Sequence, residues 1–181
     1  MNKVVAIVGM PGSGKTEAAD ILVKNGFGFI RLGQLTLDEV KKRGLEPTEA
    51  NERPIREGFR KRYGMGAFAL LNFSKIDELL KKGNVVVDGL YSWEEYLAFR
   101  EKYGKGFYTV AVYASPSTRY ARLVRQQVSK DAAIRRRHYT KEQAESRDKA
   151  EIENSNKGGP IAMADFTVMN EKMREDMKKE V

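Results

Sequence analysis

The loop from Gly9 to Thr16 has the residue types and spacing of a site for a chain of phosphate groups. It reads GMPGSGKT and matches G-x-x-x-x-G-K-[ST]. Glycines let backbone N–H groups curl around an anion, where larger side chains would block its approach. Lys15 would add a positive charge that reaches the β- and γ-phosphates, and the Thr16 hydroxyl would be a ligand for Mg²⁺. The predicted phosphate-binding residues are Gly9, Pro11, Gly12, Ser13, Gly14, Lys15 and Thr16.

The segments on either side of this loop favour the same interpretation. Val4–Val8 is a continuous apolar run, typical of a strand that is buried on both faces of a parallel sheet. Glu17–Lys24 has helical spacing, and a helix that begins at the loop would direct the positive end of its dipole at the phosphates. We therefore expect a nucleoside triphosphate with Mg²⁺. The guanine motif [NT]-K-x-D does not occur, which disfavours a GTPase.

Asp88 is the second candidate, because it ends the apolar run NVVVD. Ligands of open α/β sheets gather at the carboxyl ends of the strands. A carboxylate at this position could hold Mg²⁺ directly or through water, and it is the candidate base if the reaction requires one. The alternative is an ordinary turn aspartate before Gly89.

Two groups of arginines could supply further positive charge. The first lies at Arg119, Arg122, Arg125 and Arg135–Arg137. Cations on a closing lid would stabilise the charge of a transferred phosphoryl group, whereas the alternative is a solvated helix face with a basic loop. The second group could receive an anionic acceptor, or it could be a surface stripe balanced by Glu49, Glu52 and Glu57; it consists of Arg53, Arg56, Arg60 and Arg62.

Strands and helices alternate along the chain, which predicts a parallel sheet with right-handed crossovers. The predicted strands are Val4–Val8, Phe27–Leu32, Asn84–Asp88, Phe107–Ala114 and Phe166–Met169. Capping boxes predict helices that start near Thr36, Ser92 and Thr140. Other helices are expected at Glu17–Lys24, within Pro47–Lys82 with a break near Gly64 and Gly66, from Pro116, and at Lys172–Lys179, with a loop at Asn154–Gly159. No linker is visible, so we expect one domain over residues 1–181.

Composition limits the remaining possibilities. The chain of 181 residues has no cysteine and one histidine, His138, which argues against disulfides and against thiolate or multi-histidine metal sites. It has neither a secretion signal nor an apolar run of membrane-spanning length, so we expect a cytoplasmic protein without a membrane partner. A net charge of +8 favours anionic partners, although general solubility explains it equally well. Nucleic acid is not expected as a partner, since no binding module is recognisable.

These segments taken in order resemble the nucleoside-monophosphate-kinase-like group of P-loop proteins. Within that group the chain is most similar to dephospho-CoA kinases and to adenylate-kinase-like ATPases of archaea. The likeness covers nearly the whole chain. Besides the phosphate loop it rests on RLGQ at Arg31–Gln34, RYGMGAFA at Arg62–Ala69, VVVDGLYSWEEYLAFR at Val85–Arg100, ASPSTRYARL at Ala114–Leu123, SRDKAE at Ser146–Glu151 and ADFTVMNE at Ala164–Glu171.

The resemblance implies an α/β fold, the P-loop NTPase three-layer sandwich with a five-stranded parallel sheet. It also implies a helical acceptor-binding insertion at about 34–82, a lid at about 126–145, and Mg·ATP as the phosphate donor. Arg119 and Arg125 match the lid arginines of the group. Ala164–Asn170 resembles the corner that binds the ATP base, which makes Asn170 a candidate cofactor-binding residue.

Three residues depart from the pattern of the group, and all lie on the acceptor side. Gln34 and Leu37 stand where an aspartate and an arginine are usual, and Tyr91 stands where the archaeal relatives commonly have an arginine. The leading hypothesis is a kinase for a small phosphorylated acceptor, dephospho-CoA or a nucleoside monophosphate. Its expected catalytic residues are Lys15, Asp88, Arg119 and Arg125. The alternative is an ATP-binding regulatory protein without efficient phosphoryl transfer.

Overall fold

A five-stranded parallel sheet forms the centre of the computed structural model, which describes residues 2–125 and 139–171. The strand order is β2-β3-β1-β4-β5. The strands are β1 (Val4–Val8), β2 (Gly28–Arg31), β3 (Val85–Asp88), β4 (Phe107–Tyr113) and β5 (Phe166–Met169). All four pairings are parallel, so the predicted α/β fold with a five-stranded parallel sheet is confirmed.

Helices connect the strands and cover both faces of the sheet. They are α1 (Lys15–Lys24), α2 (Gln34–Lys42), α3 (Glu49–Tyr63), α4 (Ala67–Leu80), α5 (Trp93–Tyr103), α6 (Pro116–Arg125), α7 (Lys141–Ser155) and α8 (Gly158–Ala162). Three of them, α2 to α4, fill the segment between β2 and β3, where the acceptor-binding insertion is expected. The predicted helix Lys172–Lys179 and the arginines at 135–137 lie outside the described residues.

Successive side chains of the central strands enter two different cores. Val85 and Val87 join the core beneath α4 and α5, where Phe99 stacks on Phe107 with ring centroids 5.1 Å apart. Val86, between them, joins the smaller core beneath α1. Because both faces are covered, the strands read as continuous apolar runs rather than as alternating patterns.

Two predicted helix starts are confirmed and one is wrong. Ser92 and Thr140 each form a complete capping box with the residue three positions later. In contrast, α2 begins at Gln34, and Thr36 lies buried inside its first turn. The Thr36 N–H donates to the Gly33 carbonyl at 3.1 Å, so the chain is already turning there and Thr36 cannot act as the cap.

The predicted loop at Asn154–Gly159 is shorter than expected. Helix α7 continues to Ser155 and ends at Asn156, whose φ of 49° is left-handed. Asparagine tolerates this conformation, which commonly terminates helices. Helix α8 then starts at Gly158, so that the connection between the two helices consists of Asn156 and Lys157. No helix within the described residues is long and apolar enough to span a bilayer.

Candidate functional site

The phosphate loop lies between the end of β1 and the start of α1, in a conformation that only glycine adopts readily. Gly9, Gly12 and Gly14 have φ values of 145°, 77° and 101°. A Cβ at Gly14 would lie 2.2 Å from Nδ2 of Asn170, and a Cβ at Gly9 would lie 2.4 Å from the Val112 carbonyl oxygen. The glycines are therefore required both by backbone conformation and by close packing.

Side chains from α6 and from the end of β5 hold the loop from behind. Arg119 donates from Nη1 to the Pro11 carbonyl at 3.1 Å. Asn170 donates from Nδ2 to the Ser13 carbonyl at 2.7 Å. Arg122 in turn donates from Nη2 to the Asn170 carbonyl at 2.8 Å. Asn170 therefore contacts the loop backbone, although the sequence pointed to a role beside the ATP base.

The position of Arg119 differs from that expected for a lid arginine. Its side chain is 5% exposed and forms an ion pair with Asp148 of α7, with Nη2 2.6 Å from Oδ2. It also donates from Nε to the Ala114 carbonyl at 3.1 Å. Because its hydrogen bonds go to Asp148 and to backbone carbonyls, Arg119 fixes the loop in place. Arg125 is exposed at the end of α6, and residues 126–138 of the predicted lid lie outside the described part of the chain.

Lys15 is half-buried at the first position of α1, and its Nζ donates to the Met10 carbonyl at 3.1 Å. Burial, followed by the positive charge of Lys157, lowers the pKa of Lys15 to about 7. The carboxylates of Asp88 and Glu151 act in the opposite direction. A bound polyphosphate would place negative charge beside this ammonium group and would favour its charged form.

Asp88 ends β3, directly beside β1, where its backbone is in register with Ile7. The side chain is 8% exposed, and Oδ2 lies 3.3 Å from Nε of Arg31 on β2. The structure thus places this carboxylate at the carboxyl edge of the sheet, next to the strand that leads into the phosphate loop. The oxygen atoms of Thr16, which is exposed in the first turn of α1, and of Asp88 are of the kind that Mg²⁺ prefers.

These donors fit a magnesium ion that arrives with the nucleotide rather than one held by protein alone. Among residues 2–125 and 139–171, no three carboxylate or histidine side chains cluster as a metal site. Mg²⁺ typically keeps several waters and binds through one or two protein oxygens together with substrate phosphates. Thr16 and Asp88 are the residues that would hold it, and the ion would neutralise charge on the phosphates.

The turn after Asp88 is fixed by a buried glutamate. Glu95 accepts hydrogen bonds through Oε2 from the backbone N–H groups of Tyr91 at 2.7 Å and Ser92 at 3.2 Å. Its other oxygen, Oε1, is buried without a hydrogen-bond partner among the described residues. Burial raises the pKa of Glu95 to about 7, although the two backbone donors and Arg60 favour the charged form.

Glu95→Gln is expected to remove a pH dependence of stability without loosening the turn. Because the folded pKa lies above the ordinary 4.5, the folded state binds more protons between pH 4.5 and 7, and stability of the natural chain falls over this window as pH rises. The amide keeps an oxygen for the two backbone donors and carries no charge. We expect urea unfolding at pH 7.5 to show the variant equal to or more stable than the natural chain, by about 3 kcal/mol at most. Exposed Glu101 on the same helix gives the control, Glu101→Gln, and a variant much less stable than the natural chain at pH 7.5 contradicts the prediction.

A cluster of charges on α7 and just beyond it was missed by the sequence analysis. Lys157 is 2% exposed, and its ammonium group contacts the Glu151 carboxylate and lies 4.5 Å from the centre of the Tyr91 ring. Arg147 binds the same carboxylate, with Nε 2.9 Å from Oε1. The spacing of Arg147 and Glu151, four residues apart on a helix, could have indicated their pairing. No sequence signal places Lys157 beside them.

Two of the four arginines of the basic cluster on α3 pair with glutamates on the same helix. Arg53 pairs with Glu57 at 2.8 Å, and Arg56 pairs with Glu52 at 3.5 Å, in both cases four residues apart. Arg60 lies over the Phe68 ring at 5.9 Å. The surface-stripe interpretation therefore holds for the Arg53–Glu57 pair, in which both side chains are mostly exposed.

The fold and the phosphate loop define this chain as a P-loop protein of the kinase-like type. The AAA domain family matches residues 5–152. A UPF0200 protein of Thermococcus kodakarensis is 37% identical over 98% of this chain and 94% of its own length. A UPF0200 protein of Methanosarcina mazei is 40% identical over 72% of this chain and 70% of its own length. The chain belongs to the UPF0200 family.

Solved structures with the same fold include small-molecule kinases. A shikimate kinase from Bacteroides thetaiotaomicron superposes with a TM-score of 0.59 and 16% identity, covering 98% of this chain and 94% of its own. A gluconokinase from Sinorhizobium meliloti superposes with a TM-score of 0.55 and 16% identity, covering 98% of this chain and 88% of its own. At this identity the likeness shows the fold alone. It is the fold of P-loop kinases, and it does not single out dephospho-CoA kinases.

Proposed function

We propose that the chain is a Mg·ATP-dependent phosphotransferase that acts on a small phosphorylated acceptor, dephospho-CoA or a nucleoside monophosphate. The observation that carries the proposal is the adjacency of two groups. Lys15 begins the helix after β1, and Asp88 ends the neighbouring strand β3. Phosphoryl transfer consists mainly of positioning and neutralisation of charge, which this pair would supply on either side of the transferred group.

The loop backbone and Lys15 would bind the phosphates of ATP, while Thr16 and Asp88 would hold Mg²⁺. Asp88, whose Oδ2 lies 3.3 Å from Nε of Arg31, is also the candidate base for an acceptor hydroxyl. Arg119 and Asn170 would act by holding the loop in the binding conformation. Arg125, at the end of α6 and directly before the predicted lid, remains the candidate for a cation that closes over the γ-phosphate.

The acceptor would enter on the side of α2 to α4. These helices follow β2, and β2 borders β3, so they lie on the side of Asp88 away from β4 and β5. Gln34, where the group usually has an aspartate, donates from Nε2 to Asp38 at 3.0 Å on the same helix. Arg56 and Arg60 of α3 are the cations that a phosphate on the acceptor would meet. The preference for dephospho-CoA or a monophosphate rests on the sequence resemblance.

Asp88→Asn is expected to lower kcat by about 100-fold or more while Mg·ATP still binds, because one charged ligand and the candidate base are lost together. The activity is measured by incubating the purified chain with Mg·ATP and a panel of acceptors that includes dephospho-CoA and the nucleoside monophosphates. Asp20→Asn, at an exposed position of α1, is the matched control. Absence of transfer to every acceptor by the folded natural chain would refute the proposal.

A regulatory ATP-binding protein is the second candidate, and a specific observation favours it. Both central groups already have partners within the chain, Lys15 with the Met10 carbonyl and Asp88 with Arg31. A protein that signals by closing around ATP would need binding but no transfer. Calorimetry that detects tight Mg·ATP binding, together with no acceptor-dependent release of ADP, would select this alternative.

A further inference from the structure

We propose that Lys157 is a second ammonium group of the triphosphate site and binds the γ-phosphate. This inference rests on the proposed function, since it requires that a nucleoside triphosphate occupies the phosphate loop. It adds a substrate-contacting residue from the connection between α7 and α8, far from the loop in sequence.

The burial of Lys157 requires an explanation beyond a single ion pair. A fully buried lysine is rare unless its charge is compensated, because removing an ammonium group from water is costly. Its carboxylate partner, Glu151, is shared with Arg147, which approaches at 2.9 Å. Two cations therefore compete for one carboxylate, and the group as a whole keeps a positive charge.

That excess of positive charge acts on the lysine of the phosphate loop. Lys157 is the strongest charge acting on Lys15, and Arg147 acts on it in the same sense. Asp88, the carboxylate that acts most strongly on Lys15, is already paired with Arg31 at 3.3 Å. Like charges held together in a poorly solvated site repel, so the arrangement is unfavourable until an anion arrives. A polyphosphate would relieve this repulsion, because its negative charge is opposite in sign to the excess positive charge.

The aromatic partner leaves the charge of Lys157 available to a ligand. The ammonium group lies over the face of Tyr91 at 4.5 Å, a contact that attracts a cation without neutralising it. Tyr91 is itself held close to the strand end, since a Cβ on Gly89 would lie 3.2 Å from Cε2 of its ring. Through the Tyr91 ring, Lys157 is linked to Gly89, the residue that follows Asp88. We assign it to the γ-phosphate for this reason, since the loop backbone cradles the inner phosphates.

Close packing of the neighbouring helix fixes this position. Gly159 lies against the Trp93 ring so tightly that a Cβ there would be 2.7 Å from Cε3. This contact brings α8 against the start of α5, two residues beyond Tyr91 in sequence. The backbone on either side of Lys157 is thus anchored by α7 on one side and by Trp93 on the other.

The test compares a triphosphate with a diphosphate. We expect Lys157→Met to weaken binding of the β,γ-imido analogue of ATP, with Mg²⁺, by about 10- to 100-fold, and binding of Mg·ADP by less than about threefold. Lys157→Arg should restore most of the preference for the triphosphate. Calorimetry measures both nucleotides, and thermal unfolding verifies that each variant is folded. Equal losses for the two nucleotides, or no loss, would overturn the inference.

A double variant separates ligand binding from structural pairing. If Lys157 served only to neutralise Glu151, then Lys157→Met combined with Glu151→Gln would recover the triphosphate preference, and recovery would overturn the inference. If either variant fails to fold, nitrogen-15 NMR of the lysine ammonium groups of the natural chain replaces it. The triphosphate analogue should then shift the Lys157 signal more than ADP does, and equal shifts for the two nucleotides would overturn the inference. A natural chain that binds neither nucleotide refutes the proposed function itself, and this inference with it.

Discussion

Lys15→Ala is expected to lower the affinity for Mg·ATP by about 100-fold or more while the chain stays folded. The side chain would make charge-assisted hydrogen bonds to two phosphates, and each such bond contributes about a factor of 10 or more. Arg119 and Arg122 cannot replace it, since they are directed at the backbone carbonyls of Pro11 and Asn170.

Stability should be unaffected or slightly improved by this substitution. Burial and the charge of Lys157 already disfavour the ammonium form of Lys15, whose Nζ donates a hydrogen bond to the Met10 carbonyl. Removing the side chain therefore relieves an unfavourable interaction as well as losing a favourable one. Lys24→Ala, at the exposed end of the same helix, should change neither binding nor stability. Calorimetry and urea unfolding measure the two effects, and undiminished binding by Lys15→Ala would contradict the assignment of the loop.

Asp148→Ala is expected to be the most destabilising of the substitutions considered. It would leave the Arg119 guanidinium buried without its carboxylate and would also remove the acceptor of the Tyr120 hydroxyl, 3.1 Å away. Breaking one side of a buried ion pair costs about 3–5 kcal/mol. For a chain of this size we expect a decrease in Tm on the order of 10 °C. Glu153→Ala, which breaks an exposed pair with Lys149 on the same helix, should cost less than about 0.5 kcal/mol.

A companion double variant distinguishes stability from loop positioning. Replacing both members with apolar residues, as in Arg119→Met with Asp148→Leu, should recover part of the stability, because no charge is left unpaired. Triphosphate binding should stay weak, since the Pro11 carbonyl loses its donor. Full recovery of binding in the double variant would show that Arg119 does not position the loop. Thermal unfolding and calorimetry with Mg·ATP give the two readouts.

The roles of the basic residues in the structure differ from those that the family resemblance implies. The resemblance implies that Arg119 and Arg125 of α6 belong to a lid that closes over the phosphates. In the structure, Arg119 and Arg122 instead lie behind the loop and hold its carbonyls and Asn170. In the proposed site, the ammonium groups of Lys15 and Lys157 would neutralise the charge of the phosphates. Arg119 and Arg122 thus position the phosphate loop, whereas Lys15 and Lys157 would neutralise the charge of the bound phosphates.

The phosphate loop and the parallel sheet could both be predicted from the sequence. Both depend on features that are local in the chain: glycines at fixed spacing, continuous apolar runs and capping boxes at Ser92 and Thr140. The prediction failed locally at Thr36, because a capping pattern is short and the backbone had already begun to turn at Gly33. Strand ends were placed to within one or two residues for the same reason, since apolar runs do not stop abruptly.

Which charged side chains pair with one another depends on how the helices pack, and it could not be predicted from the sequence. The sequence around Arg119 does not indicate whether its side chain contacts a ligand or Asp148, because its partner depends on how α6 and α7 pack. Lys157 lies in a short polar connection and becomes part of the site only because Gly159 packs on Trp93 and brings the ammonium group to Tyr91. Electrostatic energy depends on distance and burial in space, and neither is encoded by spacing along the chain. For this reason the site's backbone could be predicted, whereas the partners of its charged side chains could not.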